Sequence, residues 1–274
     1  MCRWLAYSGS PIRPEELLVK RDRSLIDQSL HAKLGATTTN GDGFGVGWYD
    51  DERVPHVYRS THPAWNDRNL RQLAAGVTSP LFFAHIRAST GTAVQETNTH
   101  PFRHRRWLWM HNGLIREFPR LRRDLVLAVD ESLFASIEGT TDSETMFYLA
   151  LTLGLEEDPV DAVEQMVGLV ERTGRARGIE LPLQMTIATT DGETIWAFRY
   201  SSEGDSRSLY FSTRTDALRE LYPDAELGWL SDETRVVVSE PLGDLPGVWN
   251  EVPESSVGIV QAGADELRPF APRG

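Results

Sequence analysis

The feature that most constrains this chain is the placement of its apolar runs. Cys2–Tyr7 (CRWLAY), 81–88 (LFFAHIRA) and 106–111 (RWLWMH) are short, apolar and rich in aromatics, which suits buried strands. Residues 183–200 read as a hairpin, two β-prone runs around Thr190-Asp191-Gly192-Glu193. Further strands are expected near 208–213, 235–239 and 257–261. Between these ends, Thr141-Asp142-Ser143-Glu144 has the form of a capping box, and Met146, Leu149, Ala150 and Leu153 follow at helical spacing. A second helix carries Val160, Val163, Met166, Val167 and Val170 on one face, and residues 14–30 also read as helical. Strands at both ends with helices between them fit sheets layered with helices. Residues 215–256, broken by Pro and Gly, give no clear pattern. No repeat or linker divides the chain, so one domain over 1–274 is expected, ending in a Pro-containing tail over 268–274.

Bulk properties narrow the function classes. Hydrophobic residues make up 40% and charged residues 25%, the balance of a globular chain, and no run approaches the ~20 apolar residues of a membrane span. The start is not basic-then-apolar, so no secretory signal is expected. The one cysteine precludes an intramolecular disulfide, and a reducing cytoplasm is the expected compartment. Net charge is −12, unevenly spread: residues 1–140 carry +3 and residues 141–274 carry −15. Nucleic acid is not an expected partner of so acidic a chain. The arginines at 103, 105, 106, 116, 120, 122 and 123 either form a solvated face or attract an anionic substrate.

That one cysteine is Cys2, directly after the initiator methionine. Residues at position two are often frayed and without function. Removal of Met1, however, leaves Cys2 with a thiol and a free α-amine, and an amine with a pKa near ~7.7–8.0 can take the thiol proton without a histidine. Other residues suggest partners. His111-Asn112-Gly113 closes an apolar strand; it reads either as a hairpin turn or as an oxyanion hole made of the Asn112 amide and the Gly113 N–H. Arg87 ends a strand and can grip a carboxylate. Asp142 opens a helix, where it either offsets the dipole or holds an ammonium. The glycines at 41, 43, 45 and 47 match neither a dinucleotide fingerprint nor a P-loop; they suit a tight turn, one that can sit against a small site. His85, His100, His104 and His111 invite a metal reading, but no H-E-x-x-H or second cysteine supports it. No G-x-S-x-G marks a nucleophilic serine.

Taken together, Met1-Cys2, Asn40-Gly41-Asp42-Gly43-Phe44-Gly45, 85–90 (HIRAST), 98–101 (NTHP), His111-Asn112-Gly113 and 141–144 (TDSE) resemble, in order and spacing, the class II glutamine amidotransferase domain. That family belongs to the N-terminal nucleophile hydrolases. The motif-bearing part is 1–150. The resemblance implies an α+β fold, a four-layer αββα sandwich. It implies Cys2 attack on the γ-carbonyl of a glutamine or γ-glutamyl group, with thioester formation. Asn112 and Gly113 would hold the oxyanion, and Arg87, Thr90, His111 and Asp142 would bind the substrate. Position 88 is Ala where the sugar-forming members carry Trp, so the substrate wall there is expected to differ. No synthase domain is recognisable in the last hundred residues. The chain therefore looks like the stand-alone branch, similar to the γ-glutamyl hydrolase of ergothioneine biosynthesis and the amidotransferase-like proteins of glutathione breakdown. The leading expectation is hydrolysis of a small-molecule γ-glutamyl amide, with no cofactor, metal or membrane involved. One alternative is a glutaminase subunit that passes ammonia to a separate synthase. Another is an inactive γ-glutamyl-binding module.

Overall fold

The computed structural model describes residues 2–21, 23–30, 39–89, 91–222, 228, 230–243 and 245–273. In chain order its elements are β1 (Arg3–Ile12), α1 (Glu15–Leu18), α2 (Leu25–Leu30), β2 (Phe44–Tyr49), β3 (Pro55–Ser60), α3 (Arg68–Gly76), β4 (Ser79–Ile86), β5 (Phe102–His104) and β6 (Trp107–Ile115). There follow α4 (Phe118–Leu127), α5 (Glu131–Phe134), α6 (Asp142–Thr152), α7 (Pro159–Ala176), β7 (Leu183–Thr190), β8 (Ile195–Ser201) and β9 (Tyr210–Ser212). The chain closes with α8 (Thr215–Leu221), β10 (Arg235–Val238), β11 (Trp249–Glu251), β12 (Ser256–Gln261) and β13 (Ala264–Pro269). Two antiparallel sheets result, ordered β11-β9-β10-β1-β4-β2-β3 and β13-β12-β8-β7-β6-β5.

Period-2 alternation explains the layering. On β1 and β4, Trp4, Ala6, Leu81 and Phe83 face the other sheet and meet Leu108, Met110, Ala188 and Ile195. Their alternates, Leu5, Tyr7, Phe82 and Ala84, face outward and are covered by Leu17, Leu25, Ile26 and Leu70 from α1, α2 and α3. On the second sheet, Trp107, Trp109, Ile187 and Phe198 face outward against Leu121, Leu125, Met146, Phe147, Val163 and Val167 from α4, α6 and α7. The expected αββα sandwich is therefore observed. No helix among the described residues is long and apolar enough to cross a membrane.

Most expected elements are present, with boundary changes that have local causes. Residues 14–30 form two short helices rather than one: α1 ends at Leu18, and Arg23, with φ +54°, lies in the segment before α2. The tight turn expected for the glycines at 41–47 is confined to the start of that run, because β2 begins at Phe44 and takes in Gly45 and Gly47. The hairpin at 183–200 is β7–β8, and the strands near 208–213, 235–239 and 257–261 are β9, β10 and β12. The capping box is half built. Thr141 Oγ1 accepts from Glu144 N at 3.2 Å, but the Glu144 carboxylate turns to the N–H groups of Glu138 and Gly139. After β13, Phe270 is buried and Arg273 pairs with Glu164 of α7 at 2.8 Å.

Candidate active site

Cys2 lies where β1 begins. The β1–β4 register sets Arg3 opposite Ile86, so Cys2 falls beside the end of β4. There the backbone N–H of Ala88 donates to Cys2 Sγ at 3.3 Å, and Sγ is 3.5 Å from Ala88 O. This main-chain contact does not depend on the side chain at 88. From the facing sheet, Asn112 Nδ2 reaches Cys2 O at 3.0 Å. The carboxamide has two N–H donors, so one remains after that bond.

The Asn112-Gly113 pair is not a hairpin turn. It lies inside β6, in unbroken register with β7 from Leu108↔Thr190 to Ile115↔Leu183. Main-chain groups alternate direction along a strand. His111 O meets His85 Nε2 and Ile115 N meets Asp142, both on the edge away from β7. Gly113, two residues from each, turns its N–H to that same edge. Gly113 has φ +156°, and a Cβ there would stand 2.0 Å from Gln184 O and 2.6 Å from His111 Nε2. Gly113→Ala is therefore expected to destabilise the fold by at least about 1–3 kcal/mol. A lowered urea midpoint checks this; an unchanged midpoint contradicts it.

Arg87 is almost fully buried at the same cleft. Its guanidinium donates to Asp42 O, Ser89 Oγ, Thr92 Oγ1 and Ala93 O, all neutral acceptors. Burial pulls its pKa down, with Cys2 and Asp42 opposing. The glycine run holds this arrangement: Arg87 N donates to Gly43 O at 2.8 Å, Asp42 N to Arg87 O at 3.2 Å, and Ser89 N to Asp42 Oδ2 at 2.7 Å. A Cβ on Gly45 would stand 2.1 Å from His100 O, so this segment packs closely because it lacks a side chain. The start of the run, bent at Asp42, borders Arg87 and Ser89 of the cleft wall, and Gly45 and Gly47 already belong to β2.

Asp142 begins α6. Its Oδ2 accepts from Ile115 N and its Oδ1 from Ser143 N, both at 2.8 Å. Asn98 links the two halves of the cleft: its amide donates to Ala93 O and Thr140 Oγ1, and its Oδ1 accepts from Thr140 N. Among the described residues neither Arg87 nor Asp142 forms an ion pair. A cation and an anion thus line one cleft, held by neutral groups and not neutralising each other. Thr90 lies outside the described residues.

His111 faces the α6 side, with Nδ1 2.8 Å from Ser143 Oγ. It is one of three buried histidines here. The His85 and His100 rings lie against each other, tilted by 33°, with centroids 4.2 Å apart. Burial lowers the pKa of all three, that of His85 to about 3. They therefore take up protons less readily in the folded chain than in the unfolded chain, where histidines titrate near about 6.5. Stability from this source is complete above that value and falls as pH drops. Between pH 7 and 5.5, His85 alone removes about 1 kcal/mol, and His100 and His111 act in the same direction. Urea midpoints at the two pH values check this; equal midpoints contradict it. No group of three or more His, Cys, Asp or Glu among the described residues could hold a metal ion.

Four of the seven first-half arginines read as a solvated face or an anion-attracting patch are ion-paired within the chain. Arg105, Arg106 and Arg116 pair with Glu156, Asp191 and Glu203 of the acidic second half, and Arg120 pairs with Glu117. A residue the motifs did not indicate, Arg207, does line the cleft. It follows the last motif by more than sixty residues, in the loop 202–209, and no local pattern marks it. A wider cavity beside α1 and α8, lined by Leu17, Leu218, Leu242 and Trp249, has no described cysteine, histidine or carboxylate in its wall.

Comparison with known proteins agrees with this geometry. The family model for class-II glutamine amidotransferases matches residues 19–220. The probable glutamine amidotransferase DUG3 of Saccharomyces cerevisiae is 33% identical, over 98% of this chain and 84% of its own. The gamma-glutamyl-hercynylcysteine sulfoxide hydrolase of Mycolicibacterium smegmatis is 27% identical over 93% of each chain. Among solved structures, a glutamine aminotransferase class-II domain protein from Silicibacter pomeroyi superposes with a TM-score of 0.75. Its identity is 32%, and the match covers 99% of this chain and all of that one. The glutamine phosphoribosylpyrophosphate amidotransferase of B. subtilis, at 12% identity, shares the fold with a TM-score of 0.64, over 98% of this chain and 49% of its own. By sequence and by fold, this chain belongs to the class-II glutamine amidotransferases.

Proposed function

We propose that this chain hydrolyses γ-glutamyl amides, with Cys2 as nucleophile once Met1 has been removed. One observation carries the reading: a thiol, an unpaired guanidinium and an unpaired carboxylate share one cleft. An amino-acid head group carries one carboxylate and one ammonium, the two charges that Arg87 and Asp142 match. His111 stands one step behind, supporting Asp142 through Ser143.

In the proposed reaction the Cys2 thiol gives its proton to its own α-amine, and sulfur attacks the γ-carbonyl carbon. The second N–H of Asn112 and the N–H of Gly113 stabilise the oxyanion. Collapse breaks the C–N bond, and the leaving amine takes the proton from the Cys2 ammonium. Water then attacks the thioester, giving its proton to the same amine, and glutamate leaves with the thiol restored. The hydrolase name of the M. smegmatis relative supports water as the acceptor. The test is release of glutamate from γ-glutamylglycine by the Met1-processed protein, followed by amino-acid analysis. Stoichiometric glutamate and glycine are expected, and no release from any γ-glutamyl amide rejects the reading.

A further inference from the structure

Arg207 plays no part in the head-group recognition just described, yet its position is fixed. It lies between β8 and β9, and the loop is pinned on either side of it. Ser206 N donates to Glu254 Oε2 at 3.1 Å, and Ser206 Oγ accepts from Arg199 Nε at 3.0 Å. On the other side, Ser208 Oγ donates to Ser239 O at 2.9 Å, and Leu209 O accepts from Val252 N at 2.8 Å. The backbone therefore delivers the Arg207 side chain to the cleft wall that Cys2, Asn112 and Asp142 also form.

What distinguishes Arg207 is its lack of a partner. Other partly or fully buried arginines in the second half are paired: Arg199 with Glu251 and Glu254, Arg235 with Asp265. Arg207 is partly buried, and among the described residues its guanidinium makes neither an ion pair nor a hydrogen bond. Desolvation pulls its pKa down, with Cys2 opposing. Leaving a guanidinium partly desolvated and unpaired is unfavourable unless something else completes it.

Counting charges identifies that partner. Arg87 and Asp142 together match a γ-glutamyl head group and leave Arg207 over. Glutamine has no further charge to offer it. A γ-glutamyl amino acid or peptide does, because its leaving amine carries a carboxylate. We infer that Arg207 binds a carboxylate on the leaving-group side of the scissile amide, so that the site selects γ-glutamyl amino acids or peptides over glutamine. This rests on the proposed hydrolysis. The planar guanidinium fork suits a carboxylate in bidentate contact. The reaction consumes a γ-glutamyl amino acid or peptide and water, and yields glutamate and the carboxylate-bearing amine.

The test compares γ-glutamylglycine with γ-glutamylglycinamide, which has the same scissile bond but no leaving-side carboxylate. The wild-type chain is expected to favour the acid about 10–100-fold in kcat/KM, the range for a charge-assisted hydrogen bond. Arg207→Gln should bring that ratio close to one, mainly through a higher KM for the acid, and Arg207→Lys should retain part of it. Because each ratio is taken within one protein, a smaller folded fraction cancels. Equal losses on both substrates in Arg207→Gln would overturn the inference, because the guanidinium would then be serving the thiolate. So would a wild-type ratio near one. Cleavage by the wild-type chain of neither substrate nor any other γ-glutamyl amide removes the hydrolysis reading itself, an outcome distinct from an active enzyme without preference.

Discussion

Cys2→Ala is expected to abolish γ-glutamyl hydrolysis, with a fall in kcat on the order of 10⁶-fold, the scale seen when a covalent nucleophile is removed. The effect should be this large because nothing else at the cleft can replace the thiol. The serine hydroxyls of the cleft wall, Ser89 and Ser143, are held by Thr92 O and by the His111–Asp142 pair. The substitution should leave the fold intact. Cys2 is only partly buried, and its sulfur hydrogen-bonds to the main-chain N–H and C=O of Ala88. Binding of a γ-glutamyl ligand should survive, since Arg87 and Asp142 are untouched. Retained turnover with Ala at position 2 would remove Cys2 from the mechanism.

Asn112→Ala is the second large effect. Loss of one oxyanion donor costs about 10²–10³-fold in kcat, with little change in KM, because the donor acts on charge that develops only in the transition state. The side chain also donates to Cys2 O across the two sheets, so its removal frees the start of β1 as well. Asn112→Asp separates these roles. The carboxylate keeps the side-chain volume but donates nothing and opposes a negative oxyanion, so it should fall further than Ala. Activity in Asn112→Asp equal to wild type would rule the oxyanion role out.

The central part of the fold was legible because it follows from periodicity. β1, β4 and β6 are aromatic-rich runs, and α6 and α7 carry regular apolar faces. Three features were not legible, each for a physical reason. Asn-Gly is the favoured pair for a hairpin turn, but the register of β6 against β7 and the opening at Gly113 keep it in a strand. The interruption between α1 and α2 includes Arg23 at positive φ, a backbone state that its residue type does not announce. Arg207 joins the cleft only through the tertiary placement of a loop, and local sequence carries no signal of that. The motif at 98–101 had no assigned task; the structure gives Asn98 one, bridging the Arg87 loop to the entry of α6. Of the arginine runs, conspicuous in sequence, Arg105, Arg106 and Arg116 meet carboxylates of the acidic half. As exposed pairs they contribute little to stability.

The measurement that tests the central claim most directly is the intact mass of the protein after reaction with the glutamine-analogue electrophile 6-diazo-5-oxonorleucine, followed by peptide mapping. The account predicts that Met1 is absent and that one adduct forms, on Cys2, with no adduct in Cys2→Ser. A Met1-processed chain that takes no adduct, or takes it at another residue, would contradict the assignment of Cys2 as a γ-glutamyl-directed nucleophile.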